Sequence, residues 1–238
     1  MIPIRDDTPR YSTPYMTYFI IALNAVVFLF ELSVGAQSHR ELNGLIYQFG
    51  VVPRHFERAL AGPSPFSLPG LSLSILTSMF LHGGWLHIIG NMWFLWIFGD
   101  NIEDYLGHFM YLLFYLVSGF AAAITHILLN PASNVPTVGA SGAIAGVMGA
   151  YFVLYPRARV LTLVPLIVFF TFWWLPAWVM LGYWFVVQFL MGAATSIAET
   201  SQNTGGVAVW AHVGGFVTGI VLIKLLPQRP RRYRYASW

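Results

Sequence analysis

Long stretches without a charged residue dominate the chain and indicate its main elements. These runs cover residues 11–30, 59–99, 105–156, 160–198 and 200–223. A helix of about 20 apolar residues crosses the hydrocarbon core of a bilayer. Strands of a membrane barrel would instead alternate apolar and polar residues. The pattern therefore predicts an all-α, polytopic membrane protein.

Six membrane spans fit this pattern, and together they make one domain over residues 15–226. The predicted spans are residues 15–34, 85–104, 109–129, 137–155, 177–198 and 207–226. Residues 1–14 and the basic tail, 227–238, are expected in the cytosol. Residues 35–84 contain four prolines and three arginines, which is too broken for a span and too apolar for a solvated loop. They are expected to form an outer loop that is partly submerged in the membrane.

The apolar segment 160–174 is the least regular part of this pattern. Pro165 and Pro176 leave it short for a span, and residues 161–164 have β-type composition. We expect this segment to be interfacial or re-entrant. With the N-terminus inside, nine Lys and Arg residues lie on the cytosolic side and three on the outer side. That split follows the positive-inside rule, whereas a seventh span would place the arginine-rich tail outside.

Composition supports a membrane protein and excludes several kinds of chemistry. Only 9% of residues are charged, 57% are hydrophobic, and the mean hydropathy is +0.66, against roughly a quarter charged in ordinary soluble domains. The absence of cysteine excludes disulfides, thiolate metal sites and a cysteine nucleophile. The basic residues flank the spans, so the net charge of +3 indicates topology rather than nucleic-acid binding. We expect no cofactor, no metal and no cleavable signal.

Four polar residues fall at similar depth in the predicted bundle. His87 and Asn91 lie one turn apart at the start of the second span, Ser141 lies at the start of the fourth, and His212 at the start of the sixth. These three spans all run from outside to inside. Polar side chains within a membrane are costly and usually mark function.

Ridges of small residues would allow Ser141 and His212 to meet. Two ridges are present, one on the fourth span and one on the sixth: Gly142, Gly146 and Ala150, and Ala211, Gly215 and Gly219. Such ridges let two helix backbones approach closely. A serine within hydrogen-bond reach of a neutral imidazole is the minimal activated nucleophile.

The other parts of an acyl-transfer site are also present. Asn91, His87 and the backbone amide of Ser141 offer hydrogen-bond donors for a developing oxyanion. Since the central spans hold no Asp or Glu at this depth, a Ser-His dyad is predicted, with Glu199 as the nearest carboxylate. The alternative for each residue is structural: a packing serine, a histidine bonded to a carbonyl, or His87 and Asn91 as a link between helices.

At these motifs the chain resembles the rhomboid intramembrane serine proteases. The matching residues are His82, His87 and Asn91; Gly139-Ala140-Ser141-Gly142; Ala211-His212-Val213-Gly214-Gly215 with Gly219; and the exit of the second span, Gly99-Asp100-Asn101-Ile102-Glu103-Asp104. The combination is far more specific than a Gly-x-Ser-x string alone.

The resemblance implies a six-helix rhomboid-like bundle that cleaves transmembrane protein substrates near the outer ends of their helices. It implies Ser141 as nucleophile and His212 as base, with His87, Asn91 and the Ser141 amide around the oxyanion. His82, Gly139, Gly142, Gly215 and Gly219 are implied as supporting residues.

Two further expectations concern how His212 is held and where substrates enter. Many members carry an aromatic residue four positions after the nucleophile, where it packs on the catalytic histidine, but here that position is Ala145. Another residue must therefore orient His212.

The aromatic fifth span is expected to be the mobile side of the bundle, where a substrate enters. Its aromatic residues are Trp178, Tyr183, Trp184 and Phe185.

Three other functions compete with proteolysis. They are a catalytically silent rhomboid-like binder of transmembrane clients, a transporter or proton pathway, and a metalloprotease. The retained Ser141 and His212 argue against the first, and the lack of repeated halves and of a His-Glu-x-x-His motif against the other two. We expect an integral protein of a bacterial inner membrane, with both termini cytosolic and the site opening outward. Nothing in the sequence indicates an oligomeric state.

Overall fold

A computed structural model describes residues 1–62, 65–166, 169–197 and 208–229 of the chain. The helices in these ranges are α1 (Tyr15–Gln37), α2 (His39–Phe49), α3 (Pro53–Ala61), α4 (Leu68–Ser78), α5 (Trp85–Leu106), α6 (His108–Leu129), α7 (Ser141–Leu154), α8 (Ala177–Ile197) and α9 (Val209–Leu225). The strands are β1 (Ile2–Asp6), β2 (Arg159–Leu166) and β3 (Phe169–Pro176).

A three-stranded antiparallel sheet corrects the expectation of an all-α protein. Strands β2 and β3 pair in register from Arg159 opposite Pro176 to Leu166 opposite Phe169. Strand β1 joins the free edge of β2, so the N-terminal segment is part of the fold. Segment 160–174 thus lies in the paired strands β2 and β3, because its β-branched and aromatic residues favour strands and Pro165 interrupts any helix. Its interfacial or re-entrant position stays a prediction.

The start of α1 is fixed by a buried carboxylate at the end of α5. Glu103 is fully buried and accepts hydrogen bonds from the backbone amides of Met16 and Thr17, at 2.9 and 2.8 Å. Pro14 precedes the helix and offers no side-chain cap. A carboxylate satisfies the unpaired amides of a helix N-terminus and opposes the positive end of its dipole. The start of α1 therefore lies beside the end of α5.

The described helices form one bundle with two different ends. The Arg229 amide, just after α9, donates to the carbonyl of Tyr105 near the end of α5. The Tyr151 hydroxyl, near the end of α7, donates to Asp6 in β1. We call this end, with the sheet, the sheet end. The opposite end, where α5, α7 and α9 begin, is called the site end.

Three of the described helices are long and apolar enough to cross a membrane by length and composition: 15–37, 108–129 and 177–194. Helix α5 has 22 residues but carries Asp100, Glu103 and Asp104 near its end. Helices α7 and α9 are apolar but shorter, with 14 and 17 residues. The chain is an integral membrane protein, while the six-span arrangement stays a prediction.

Helix α7 is shorter than predicted and lies in the centre of the core. It begins at Ser141 instead of residue 137 and ends at Leu154. Every residue from Gly142 to Tyr151 is buried by protein. At about 1.5 Å per residue its 14 residues extend only about 21 Å, but a helix surrounded by other helices need not match the thickness of the lipid.

The predicted outer loop, residues 35–84, contains three short helices. Helix α1 continues to Gln37, and α2, α3 and α4 follow it. Val51, Phe56, Leu71 and Ile75 form a small separate core with Ile127 of α6. This packing against α6 explains why a segment so rich in proline has defined structure.

Candidate functional site

Glycine contacts hold α7 directly against α9. A Cβ at Gly215 would overlap the backbone of Gly142, and one at Gly219 would overlap that of Gly146. The close approach predicted from the two small-residue ridges is therefore present. The ridges fit because a helix interface without side chains lets carbonyl oxygens reach the neighbouring backbone.

This crossing brings the predicted nucleophile and base together. Ser141 Oγ lies 2.8 Å from His212 Nε2, which is hydrogen-bond distance. Ser141 is the first residue of α7, so its backbone amide is among those that have no partner within the helix. His212 is buried, in the first turn of α9. The predicted proximity is confirmed, and the catalytic role of the pair stays a prediction.

The second nitrogen of His212 contacts a residue that the sequence reasoning missed. Gln188 Oε1 of α8 lies 2.9 Å from His212 Nδ1. The indole of Trp184, one turn earlier on α8, lies 5.7 Å from the imidazole centroid. These two contacts hold the imidazole from α8, whereas position 145 on α7 carries only the small side chain of alanine. A lone amide in an otherwise apolar helix was the available signal, by the same rule that singled out His87.

His87 presents its Nε2 towards the loop that precedes Ser141. The Gly83 amide donates to His87 Nδ1 at 3.3 Å, so the proton of a neutral ring lies on Nε2. A Cβ at Gly139 would lie only 2.6 Å from that Nε2. Gly139 also has φ +126°, a backbone conformation that favours glycine. Both facts explain the glycine two residues before Ser141.

The side chain of Asn91 contacts His82, which was predicted to be a supporting residue of the site. Asn91 Nδ2 lies 3.0 Å from His82 Nε2, and His82 Nδ1 lies 3.3 Å from the carbonyl of Phe80. An amide nitrogen can only donate, so His82 accepts at Nε2 and donates at Nδ1. Burial lowers the pKa of His82, and the nearby His87 lowers it further, so the ring stays neutral. Within the described part of the chain, His82 is the hydrogen-bond partner of Asn91 Nδ2, and Asn91 also lines a cavity at the site end.

A buried glutamate supports the loop that carries His82. Both carboxylate oxygens of Glu31 accept from the His82 backbone amide, at 3.2 and 3.1 Å. Glu31 lies in α1 and is only 2% exposed. Sequence reasoning missed Glu31 because it lies near the end of the first predicted span, whereas the predicted site residues lie in the second, fourth and sixth. The other carboxylate considered, Glu199, lies outside the described residues.

A cavity of about 720 Å³ lies at the site end. Its lining includes Ser141, His212, His87 and Asn91, together with Trp184 of α8. Polar groups of α6 and the following loop, such as His126 and Thr137, line another part of it. The lining is mainly apolar, but its polar groups suit water and its volume suits a peptide segment. Among the described residues, no group of three His, Asp or Glu side chains is placed to hold a metal ion.

The arrangement suits acyl transfer. The Ser141 hydroxyl contacts the His212 imidazole, and Gln188 contacts the same ring from its far side, which is the geometry that an activated nucleophile requires. Donors from Asn91, His87 and the start of α7 surround the same space.

Comparison with known proteins gives the same family over most of the fold. Residues 71–229 match the family model described as the Rhomboid domain. RHOMBOID-like protein 6, mitochondrial, from Arabidopsis thaliana is 27% identical over 92% of this chain and 71% of its own length. Rhomboid protein 1, mitochondrial, from Saccharomyces cerevisiae is 31% identical over 63% of this chain and 40% of its own length.

A bacterial relative is described as a protease. Rhomboid protease GluP of Bacillus subtilis is 32% identical over 58% of this chain, which spans 24% of that protein. Apart from the Arabidopsis mitochondrial protein, these relatives are much longer than the matched region.

The names of several relatives state a compartment, and the compartments stated are mitochondria and chloroplasts. These names do not support the expected location in a bacterial inner membrane.

Proposed function

Because the chain belongs to the rhomboid family, we propose that it is an intramembrane serine endopeptidase. It hydrolyses a peptide bond in or near a transmembrane segment of a membrane-protein substrate. The observation that carries this proposal is the 2.8 Å contact between Ser141 Oγ and His212 Nε2. The two residues lie 71 positions apart in sequence, on helices that glycines hold together.

In the first half of the reaction, Ser141 Oγ attacks the carbonyl carbon of the scissile bond. Its proton passes to His212 Nε2 as the new C–O bond forms. The negative charge on the substrate oxygen is stabilised by N–H groups of Asn91, His87 and the Ser141 backbone. The C–N bond then breaks, and the leaving amine takes the proton from His212.

In the second half, water enters the cavity and attacks the acyl-enzyme ester. His212 takes a proton from this water and returns it to Ser141 Oγ, which releases the carboxyl product. The polar groups in the cavity at the site end, among them Ser141, His212, His87 and Asn91, give water hydrogen-bond partners there. A substrate helix must unwind before its backbone reaches Ser141, which favours substrates with small or helix-breaking residues near the scissile bond.

Cleavage of a generic transmembrane substrate by purified protein in detergent tests the proposal. Ser141→Ala and His212→Ala are expected to reduce kcat/KM by about 10³-fold or more, as removal of a nucleophile or base does elsewhere. Ser33→Ala and His39→Ala are the matched controls, since both of these residues are exposed and lie in α1 and α2. The controls are expected to cleave at the wild-type rate.

A fluorophosphonate probe separates an inactive enzyme from an unsuitable substrate. It is expected to label wild-type protein at Ser141 and to leave Ser141→Ala unlabelled. Equal cleavage by wild type and Ser141→Ala would contradict the proposal. Folded wild-type protein that neither cleaves nor takes the label would favour a binder of transmembrane clients.

A further inference from the structure

The imidazole of His212 has two ring nitrogens. The nitrogen that faces away from Ser141, Nδ1, contacts a residue of α8. Gln188 Oε1 lies 2.9 Å from Nδ1, while Ser141 Oγ lies 2.8 Å from Nε2. Gln188 is half-buried, and Val186 and Phe189 beside it are exposed. The amide therefore contacts the imidazole from a helix whose neighbouring side chains face outward.

The identity of the atom on Nδ1 decides which nitrogen of a neutral imidazole is basic. A neutral ring carries one N–H, and His212 accepts the serine proton only if Nε2 is free of it. The proton must then lie on Nδ1, where it needs an acceptor. The carbonyl oxygen of Gln188 is such an acceptor, and it carries no charge that would need compensation within the membrane.

The position of this oxygen depends on how α8 packs against α9. The Trp184 and Phe185 rings lie 6.1 and 4.8 Å from the ring of Phe216 on α9, and Phe185 stacks on it. Trp184 also lies against His212 itself. Gln188 is one turn beyond Trp184, so these aromatic contacts place its amide at the imidazole.

We propose that Gln188 is a positioning residue for His212, which holds the imidazole in the tautomer whose Nε2 faces Ser141. The inference rests on the proposed function and assigns the orienting role that the sequence leaves open at Ala145. The proposed site is then a Ser-His dyad whose histidine is oriented by a neutral amide. Correct alignment of the base then also depends on the contact between α8 and α9.

Two substitutions at position 188 test the role. Gln188→Leu keeps the approximate size and removes the acceptor, and it is expected to lower kcat about tenfold or more with KM changed by less than about twofold. Gln188→Glu keeps an acceptor and adds a charge. It is expected to retain most of the activity and to move the acid limb of the kcat profile to higher pH, because a carboxylate favours the protonated imidazole.

Fluorophosphonate labelling of Ser141 provides a second readout that does not depend on entry of a substrate helix. Its rate is expected to fall in Gln188→Leu in parallel with kcat. Val186→Leu is the matched control on the same helix, since Val186 is exposed. It is expected to behave as wild type in both assays.

Nitrogen-15 NMR of labelled histidine gives a readout that is independent of activity. His212, identified by its absence in His212→Ala, is expected as the Nδ1–H tautomer in wild type and as a mixture in Gln188→Leu. Wild-type kcat in folded Gln188→Leu would overturn the inference. So would equal losses in both variants with an unmoved acid limb, which would indicate a role in packing only. If wild type itself neither cleaves nor labels, the proposed function fails, whatever Gln188 does.

Discussion

At the scale of single residues, each histidine of the site is set by a different partner. The Gly83 amide leaves His87 with a proton on Nε2, and the Phe80 carbonyl leaves His82 with one on Nδ1. His212 has Gln188 on Nδ1 and Ser141 on Nε2. The His87 ring can therefore donate through Nε2, and the His82 ring accepts from Asn91 at Nε2. In the proposed tautomer His212 accepts from Ser141 at Nε2. Identical side chains take three roles because their hydrogen-bond partners differ.

The buried Glu31 provides a test of how the loop before α5 supports Asn91. Glu31→Ala leaves the His82 amide without an acceptor in a buried place, which costs about 1–3 kcal/mol of unfolding free energy. We also expect a lower kcat, because His82 holds Asn91 Nδ2. Thermal unfolding and substrate cleavage in the same detergent measure the two effects.

Glu31→Gln is the matched variant because it keeps one oxygen as an acceptor. Its losses in both measurements are expected to be smaller than those of Glu31→Ala. If Glu31→Ala unfolds at the wild-type temperature and cleaves at the wild-type rate, Glu31 does not support the loop.

At the scale of elements, the crossing of α7 and α9 depends on the absence of side chains. Gly219→Ala places a Cβ against the backbone of Gly146, which the helices relieve only by moving apart. Overpacking of this kind costs about 1–3 kcal/mol. The same displacement lengthens the contact between Ser141 and His212, so we expect lower thermal stability together with slower fluorophosphonate labelling.

Gly44→Ala is the control for this substitution. Gly44 is also within a helix, α2, but a Cβ there would meet nothing within 4 Å. Alanine favours helix more than glycine does, so the control is expected to keep or raise the stability. A Gly219→Ala protein as stable and as readily labelled as Gly44→Ala would show that the crossing tolerates a wider separation.

At the scale of the whole molecule, the two ends of the bundle carry different tasks. The sheet end joins the N-terminal segment, the strands β2 and β3 that lie between α7 and α8, and the ends of α5 and α9. The site end gathers the starts of α5, α7 and α9 around the cavity. Pairing of β1 with β2 requires residues 2–6 and 159–166 to lie on the same side of the membrane.

Single introduced cysteines test this topology, since the natural chain has none. Asp7→Cys and Arg157→Cys are expected to react with a membrane-impermeant thiol reagent from one side only, because both residues are exposed at the sheet end. Asn134→Cys, exposed in the loop before α7, is expected to react from the other side. Reaction of positions 7 and 157 from opposite sides would contradict the pairing of β1 with β2.

Much of the helix pattern follows from the order of residues alone. The segments predicted at 85–104 and 109–129 correspond to α5 (Trp85–Leu106) and α6 (His108–Leu129), because apolar length and the glycine and prolines around them act locally. The sheet was not predicted, since its third strand comes from residues 2–6 and pairs with residues 160–163. Pairing between segments so far apart leaves no local signal.

Sequence by itself determined the polar residues of the site and the glycines that bring them together. Ser141, His212, His87 and Asn91 stand out because polar side chains are rare in apolar helices, and small residues at four-residue spacing mark a close helix contact. Only the tertiary structure decided what orients His212 and what supports His82. Gln188 and Glu31 reach them across 24 and 51 residues of sequence. The direction of a side chain across a helix interface depends on packing, which a linear pattern does not contain.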